Sequence, residues 1–311
     1  MDHLAKRVED HYASENLLAR IDAGLAELGA AATDPEALKA VDEFHTGGRE
    51  ATEALLSHLD IRSGMRVLDI GAGIGGTARH IARAYGVHVT GVDLTRAYVD
   101  VAKVLNARVG MEDDVTMMVG SALDLPVPAG AFDLAVMFHV GMNIDDKPHL
   151  MREVARVLKP GGHFALYDVM RDAVDGPLTF PLPWASAPEN SFVDYPLAYI
   201  TAAESAGLEL ETRRERREAT LAFFKRRRKA GTGRAGRASP ADGRDLGAET
   251  EEPCRRRDRP ADRSRRDDLQ EARMMGIWPV DMSGNKFWKG SGDRALRKFS
   301  DMPSEVDKCP R

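Results

Sequence analysis

Short apolar runs alternate with segments of helical periodicity between Met65 and Val169. The apolar runs are continuous, a pattern typical of parallel strands that are buried on both faces. The pattern predicts strands at 66–71, 87–93, 115–120, 132–139 and 162–169, and helices at 75–85, 95–109 and 146–158. Crossovers between parallel strands are right-handed. The chain should therefore form a doubly wound, Rossmann-like α/β fold with a mostly parallel sheet and a ligand at the carboxyl ends of the strands.

Helices are also predicted on both sides of this region. Apolar residues at helical spacing run from Tyr12 to Leu28, and a second helix starts at Thr33–Glu36, which carries a proline in its first turn. We expect residues 1–60 to form an N-terminal helical lid. A proline-rich connection, 170–193, is either a substrate lid or a stiffened surface crossover. A helix at about 194–206 and a sixth strand at about 208–212 follow it.

The composition changes abruptly after Phe224. Leu246 is the only large aliphatic residue from Lys225 to Asp268, and the rest is rich in Arg, Ala, Gly, Asp, Glu and Pro. Such a segment cannot bury an apolar face, so we predict a disordered tail over 225–311 and a sheet without a final antiparallel strand. We interpret this as a frame-shifted C-terminus; a genuine basic tail that contacts nucleic acid is the alternative. The predicted division is 1–60, 61–224 and 225–311.

Composition excludes several classes of protein. The 311 residues are 43% hydrophobic, enough for a sizeable core, and their net charge of −5 disfavours a nucleic-acid or membrane-surface binder as a whole. Cys254 and Cys309 both lie in the tail, which leaves the central region without a disulfide or a thiol nucleophile and fits a reducing cytoplasm. We find neither a signal peptide nor an apolar run of the ~20 residues that a membrane span needs. We assign no metal ligand.

The run from Val67 to Gly76, VLDIGAGIGG, carries the clearest chemistry. An apolar strand enters a glycine turn and then a helix, whose free N–H groups and dipole suit a nucleotide-like ligand. The pattern G-x-G-x-x-G with Asp93 about 20 residues further on also fits a dinucleotide site. However, Asp69 lies close to the turn, where it would repel a pyrophosphate and attract a cation.

Further motifs follow in order: FDLAVMFH, ending at His139, and VLKPGGHFALYD, ending at Asp168. Together with DEFHTGG, which ends at Gly48, they closely resemble class I S-adenosylmethionine-dependent methyltransferases over roughly residues 8–224. Within that superfamily the chain is most similar to the small-molecule group that includes ubiquinone/menaquinone-type and glycine/sarcosine-type enzymes.

The resemblance implies S-adenosylmethionine as the cofactor. Its expected contacts are with the ammonium end of methionine at Asp69, with both ribose hydroxyls at Asp93, and with adenine at Ser121, where an acidic residue is common. The full implied cofactor site is His45, Gly48, Asp69, Gly71, Gly73, Gly75, Asp93, Leu94, Ser121 and Ala122. Each polar member also has a structural alternative: Asp69 could cap the turn, Asp93 the next helix, and His45 a helix end.

His139 is the candidate catalytic residue, as a general base or a substrate orienter at the end of the fourth strand. Asn143 and Asp168 are lesser candidates for substrate contacts, and Tyr12 is a weaker candidate for the cofactor. No Asn/Asp-Pro-Pro-Tyr/Phe motif follows the fourth strand, which favours a small-molecule acceptor over a nucleic-acid base. The expected reaction is in-line methyl transfer to an N, O or C nucleophile. A nicotinamide-dependent oxidoreductase and a catalytically disabled binding protein remain the alternatives.

Overall fold

The computed structural model describes residues 16–27, 29, 33–43, 45–171, 176–231 and 283–290. Within these residues the strands form one sheet in the order β3-β2-β1-β4-β5-β7-β6. The first five strands are mutually parallel, and β7 pairs antiparallel with both β5 and β6. The strands are β1 (Arg66–Ile70), β2 (His88–Asp93), β3 (Val115–Val119), β4 (Phe132–Phe138), β5 (Leu158–Tyr167), β6 (Leu208–Glu215) and β7 (Ser283–Gly290). The predicted doubly wound, mostly parallel α/β fold is confirmed.

The helices for which bounds were predicted lie close to them, and the structure adds helices at Gly48–Leu56 and Arg217–Gly231. In chain order the helices are α1 (Leu17–Glu27), α2 (Pro35–Asp42), α3 (Gly48–Leu56), α4 (Gly76–Tyr85), α5 (Arg96–Arg108), α6 (Lys147–Val157), α7 (Pro196–Ser205) and α8 (Arg217–Gly231). The fifth strand starts at Leu158, four residues before its predicted start. The glycine turn after Leu158 belongs to the strand because it pairs with β4 through a register shift. Tyr12 lies outside the described residues. No helix of the described part has both the length and the apolar character of a membrane span.

Alternate residues of the central strands face two separate apolar layers, as the pleat requires. Val67 of β1 packs with α3, α4 and α5, whereas its neighbours Leu68 and Ile70 pack on the opposite side with α6 and α7. Both layers are fully buried. The sheet is therefore covered on both faces, which leaves the strand ends as the place for a site.

The N-terminal helices pack beside the glycine turn. Leu25 and Leu38, from α1 and α2, form an apolar cluster with Ile74 of the turn and Leu105 of α5. Asp42 lies so close to Gly76 that a Cβ there would be 2.5 Å from the Asp42 carbonyl oxygen. This is the place expected for a lid, and the division of the chain into three regions stays a prediction.

The C-terminal strand corrects the sequence analysis. We predicted no strand after residue 224, but β7 lies between β5 and β6. Trp288 of β7 pairs with Phe164 of β5 on one side and with Leu210 of β6 on the other. The prediction that the sheet lacks a final antiparallel strand is wrong. The frame-shift hypothesis therefore loses the observation that supported it. Backbone pairing on both sides needs no apolar periodicity, so this strand left little signal in the sequence. Helix α8 also continues past residue 224, while 232–282 and 291–311, part of the predicted disordered tail, lie outside the described residues.

Candidate active site

The glycine turn between β1 and α4 leaves room for a ligand on one side. Gly71, Gly73 and Gly75 all have positive φ, at 74°, 55° and 82°. A Cβ at Gly71 would lie 2.1 Å from Cγ2 of Val140, whereas a Cβ at Gly73 would meet no atom within 4 Å. Gly71 is therefore required by packing and conformation, and open space lies over Gly73.

Asp69 is buried at the end of β1, with 1% of its surface exposed. Its Oδ2 has no hydrogen-bond partner among the described residues. Burial, with smaller contributions from the negative charges of Asp93 and Glu43, raises the pKa of Asp69 to about 8, and the Ala78 amide opposes the rise. An unpartnered buried carboxyl oxygen is costly, and a ligand ammonium group would satisfy it.

Asp93 joins the glycine turn to the turn after β2. The Gly73 amide donates to its Oδ2 at 2.7 Å and the Thr95 amide to its Oδ1 at 2.8 Å. Burial raises the pKa of Asp93, and hydrogen bonds from the Thr95 amide, the Gly73 amide and the Thr95 hydroxyl oppose the rise. A carboxylate has about four acceptor positions, so the residue can organise the turns and still accept from a ligand hydroxyl. Leu94 follows it and is half-buried.

Ser121 and Ala122 lie beside this end of the sheet, since the Gly120 amide donates to the Asp93 carbonyl at 2.9 Å. The Ser121 hydroxyl accepts from the Leu123 amide at 3.1 Å within its own turn. Both residues are half-buried. The predicted adenine contact would therefore use the second lone pair of Ser121 or the Ala122 amide.

His45 is buried and held by three groups around its Nε2. These are the Gly48 carbonyl at 3.2 Å, the Thr52 hydroxyl at 3.0 Å and Oε2 of Glu43 at 3.5 Å. Because Thr52 donates its own proton to Glu43 at 2.8 Å, all three groups act as acceptors toward the ring. We infer that Nε2 carries the proton and that Nδ1 of the neutral ring is the free acceptor. Gly48, predicted as a cofactor contact, here directs its carbonyl to His45.

His139 has a backbone conformation that is uncommon for a residue with a side chain. Its φ is 53°, and its amide donates to the Tyr167 carbonyl at 2.8 Å, which fixes it to the end of β5. Burial, and to a lesser extent His45, holds the pKa of His139 well below its usual value. The imidazole is therefore neutral at pH 7 and can accept a hydrogen bond from a substrate. Residues held at sparsely populated φ values cluster at functional sites.

Four rings meet at the carboxyl ends of β4 and β5. The ring centroid of His139 lies 5.1 Å from that of Tyr167 and 5.9 Å from that of His45, and Phe138 lies 5.0 Å from His45. The predicted residues thus form two groups: Asp69, the glycines and Asp93 at the turn, and the two histidines with these aromatic neighbours.

Three further residues were not singled out from the sequence. Glu43, two positions before His45, accepts from Arg49 and Thr52 and orients that histidine. Arg79 forms a buried ion pair with Asp42 at 2.5 Å. The only available signal for it was an arginine one turn after the glycines. Tyr167 could have been found as the aromatic residue that ends β5.

The proline-rich connection covers the carboxyl ends of β4 and β5. Its Leu182 and Trp184 are buried against Met142 and Val169. Asn143 donates to the backbone carbonyls of Trp184 and Asn190, at 2.9 and 3.0 Å. Asp168 accepts from the Tyr199 hydroxyl at 2.8 Å. Asn143 and Asp168 therefore have structural partners, and the connection has the position expected of a substrate lid.

Comparisons with known proteins agree with this architecture. Residues 68–166 match the family model described as a methyltransferase domain. Methyltransferase GfsG of Streptomyces halstedii is 35% identical over 130 residues, which cover 42% of this chain and 47% of that protein. The chain thus spans less than half the length of that curated relative.

The solved structures that share the fold include the following two. Phosphoethanolamine N-methyltransferase 2 of Haemonchus contortus, bound to phosphomonomethylethanolamine and S-adenosylhomocysteine, has a TM-score of 0.61 at 20% identity, over 86% of this chain and 60% of that one. The [4+2]-cyclase SpnF has a TM-score of 0.60 at 18% identity, over 88% and 93%. The fold alone therefore does not specify the reaction. The matched family model is more specific than the fold, because residues 68–166 match a methyltransferase domain.

Proposed function

We propose that the chain is an S-adenosylmethionine-dependent methyltransferase that methylates a small molecule. The observation that carries the proposal is the unpartnered, buried Oδ2 of Asp69 beside a glycine turn with open space over Gly73. A ligand with an ammonium group and no phosphate fits this arrangement. A pyrophosphate would add negative charge where two buried carboxyl groups already lie, which disfavours a nicotinamide cofactor.

Within this proposal the residues of the turn bind and orient the cofactor. Asp69 accepts from the ammonium group, and the carboxylate of Asp93 accepts from the ribose hydroxyls. Ser121, Ala122 and Leu94 border the adenine. When bound, S-adenosylmethionine supplies a methyl group on a positively charged sulfur, open to in-line displacement by a nucleophile.

His139 acts on the acceptor, and His45, which the resemblance assigns to the cofactor site, lies beside it with 5.9 Å between the ring centroids. Neutral His139 hydrogen-bonds and orients the nucleophile, and an N or O acceptor that carries a proton can pass it to a neutral ring nitrogen. Glu43 keeps the proton of His45 on Nε2, which leaves Nδ1 as a second acceptor. Correct orientation of two reactants is worth up to ~7–11 kcal/mol of the barrier. The connection that carries Trp184 would exclude water.

We also propose that the substrate is a small molecule and that the enzyme works in the cytoplasm. The matched relatives include glycine/sarcosine/dimethylglycine and phosphoethanolamine N-methyltransferases, whose names specify small acceptors. The absence of cysteine from the central region supports a reducing compartment.

Calorimetry tests the proposal directly. S-adenosylmethionine and S-adenosylhomocysteine should bind the full chain, and NAD should not. Incubation with methyl-labelled S-adenosylmethionine and a panel of amines, phenols and small acids should then identify the labelled product. NAD binding of comparable strength would overturn the proposal in favour of an oxidoreductase. Cofactor binding without transfer to any acceptor would support the disabled binding protein.

A further inference from the structure

A cleft between α3 and α8 adjoins the ring cluster and is not used by the proposed cofactor site. Its enclosed part has a volume of about 10 Å3, room for about one water-sized group such as a single anion oxygen, and the rest of the cleft is open to solvent. Its lining residues include Gly47 and Glu50 from the start of α3, Tyr167 from the end of β5, and Arg216, Thr220 and Arg226 from α8 and the residue before it. The Tyr167 ring lines this cleft and lies 5.1 Å from the His139 ring, measured between centroids, so the cleft adjoins the place where we expect methyl transfer.

Among the described residues, Arg216 has no counter-charge. Within the described residues its Nε is buried and has no hydrogen-bond partner, and no carboxylate lies within ion-pair distance of its guanidinium. The buried Thr220 hydroxyl in the same cleft has no hydrogen bond of normal geometry among the described residues, although it lies close enough to the Tyr167 hydroxyl to oppose the rise in the pKa of that group. Burying donors without acceptors costs free energy, so these groups need an explanation.

Arg226, the second arginine of the cleft, does have a counter-charge. Arg226 donates to Oε2 of Glu50 at 2.8 Å, and both side chains are more than half exposed. Its charge is already neutralised. Counting only the part of the chain that the structure describes, the cleft therefore carries one net positive charge, located at Arg216 beside the Tyr167 ring.

We propose that this cleft is the subsite for an anionic group, a carboxylate or a phosphate, of the methyl acceptor. Arg216 binds the anion through its guanidinium fork and Thr220 donates one further hydrogen bond. With its anion held there, the substrate extends over Tyr167 toward His139. The acceptor is thus a small acid or phosphate ester, with its nucleophile at the opposite end. This inference rests on the proposed function for the role of the cleft, but anion binding itself needs no cofactor.

Inorganic phosphate is the probe, titrated into the full chain while the side-chain Nε–H signals of arginine are followed by NMR. The Arg216 signal should shift saturably, and the Arg226 signal should shift much less. Arg216→Gln should weaken phosphate binding by about 10-fold or more, the loss expected for hydrogen bonds to a charged group. Arg226→Gln, the matched control in the same cleft, should change it less than about 3-fold, as expected for an exposed pair.

Arg216→Lys keeps the charge but loses the fork, so it should fall between the wild type and Arg216→Gln. If Arg216→Gln does not fold, the titration of the wild-type signals still decides. Equal, unsaturated shifts of both arginines would overturn the subsite. Binding of S-adenosylhomocysteine, measured separately, distinguishes the two proposals. If S-adenosylhomocysteine binds but phosphate does not shift the Arg216 signal, only the anion subsite is refuted.

Discussion

The amide of Gly73 donates to the carboxylate of Asp93 at 2.7 Å, across twenty residues of sequence. One side chain therefore fixes the shape of the glycine turn and also faces the proposed ribose position. Structural and ligand-binding roles, which appear as alternatives in the sequence, coincide in this residue.

Substitution of Asp93 should therefore change two measurements at once. Asp93→Ala should weaken S-adenosylmethionine binding by ~1.5–3 kcal/mol, the value for hydrogen bonds to a charged group, and should also lower the free energy of unfolding without ligand. Asp93→Asn keeps one acceptor oxygen and should lose less in both. Calorimetry and urea denaturation provide the two values. An unchanged dissociation constant for Asp93→Ala would remove the residue from the cofactor site.

Helices α2 and α4 are joined by two ion pairs that differ in burial, which allows a matched comparison. Arg79–Asp42 is buried, whereas Arg83–Glu36 is about half exposed, at 3.0 Å. Arg79→Leu leaves the Asp42 carboxylate buried and unpaired and should cost about 3–5 kcal/mol of unfolding free energy. Arg83→Leu should cost less than about 1 kcal/mol.

Urea denaturation of both variants measures these costs. Since Asp42 packs against Gly76, Arg79→Leu should also weaken S-adenosylmethionine binding. Equal losses of stability would mean that the buried pair does not hold the N-terminal helices in place.

Substitutions of His139 can separate an effect on stability from an effect on activity. Its φ of 53° is unfavourable for a residue with a Cβ, by about 1–2 kcal/mol. His139→Gly should therefore be more stable than His139→Ala by about 1 kcal/mol, while both lose turnover and keep cofactor affinity. Thermal denaturation and steady-state assays measure the two effects. If activity followed stability across the two variants, His139 would be a packing residue instead.

The strands and helices of residues 65–169 could be predicted because continuous apolar runs and capped amphipathic segments report directly on burial. Asp69 and Asp93 could be placed because strand ends in a parallel sheet share one edge. The partners of His45 could not be predicted, because Glu43 and Thr52 reach it only through the turn between α2 and α3. Arg216 was missed for a similar reason, since its lack of a partner is visible only in three dimensions.

Strand β7 was missed because its eight residues contain two large apolar side chains, Phe287 and Trp288, between lysines. Its pairing makes a test possible. A variant that ends at residue 290 should unfold cooperatively with nearly the stability of the full chain. A variant that ends at residue 282 should expose the edges of β5 and β6 and should aggregate or unfold at lower temperature. Identical melting curves, with identical light scattering, would show that the strand contributes nothing to the fold.

The pKa of Asp69, raised to about 8, makes a prediction about pH. An ordinary carboxyl group titrates near 4, so the folded protein holds one extra proton here between about pH 4 and 8. The contribution of Asp69 to the free energy of unfolding is greatest below about pH 4, falls as the pH rises from about 4 to about 8, and is constant above about pH 8.

Cofactor binding should reverse the protonation of Asp69. An ammonium group beside the carboxylate lowers its pKa, so binding below pH 8 should release up to one proton, and affinity should rise by up to about 10-fold per pH unit from pH 5.5 to 7.5. Calorimetry in two buffers of different ionisation enthalpy counts the protons. Asp69→Asn should abolish both the release and the slope, whereas Asp100→Asn, at an exposed position of α5, should keep them. Wild-type binding that releases no proton would mean that the ammonium group of the cofactor does not lie beside Asp69, and would move the methionine end of the cofactor elsewhere in the site.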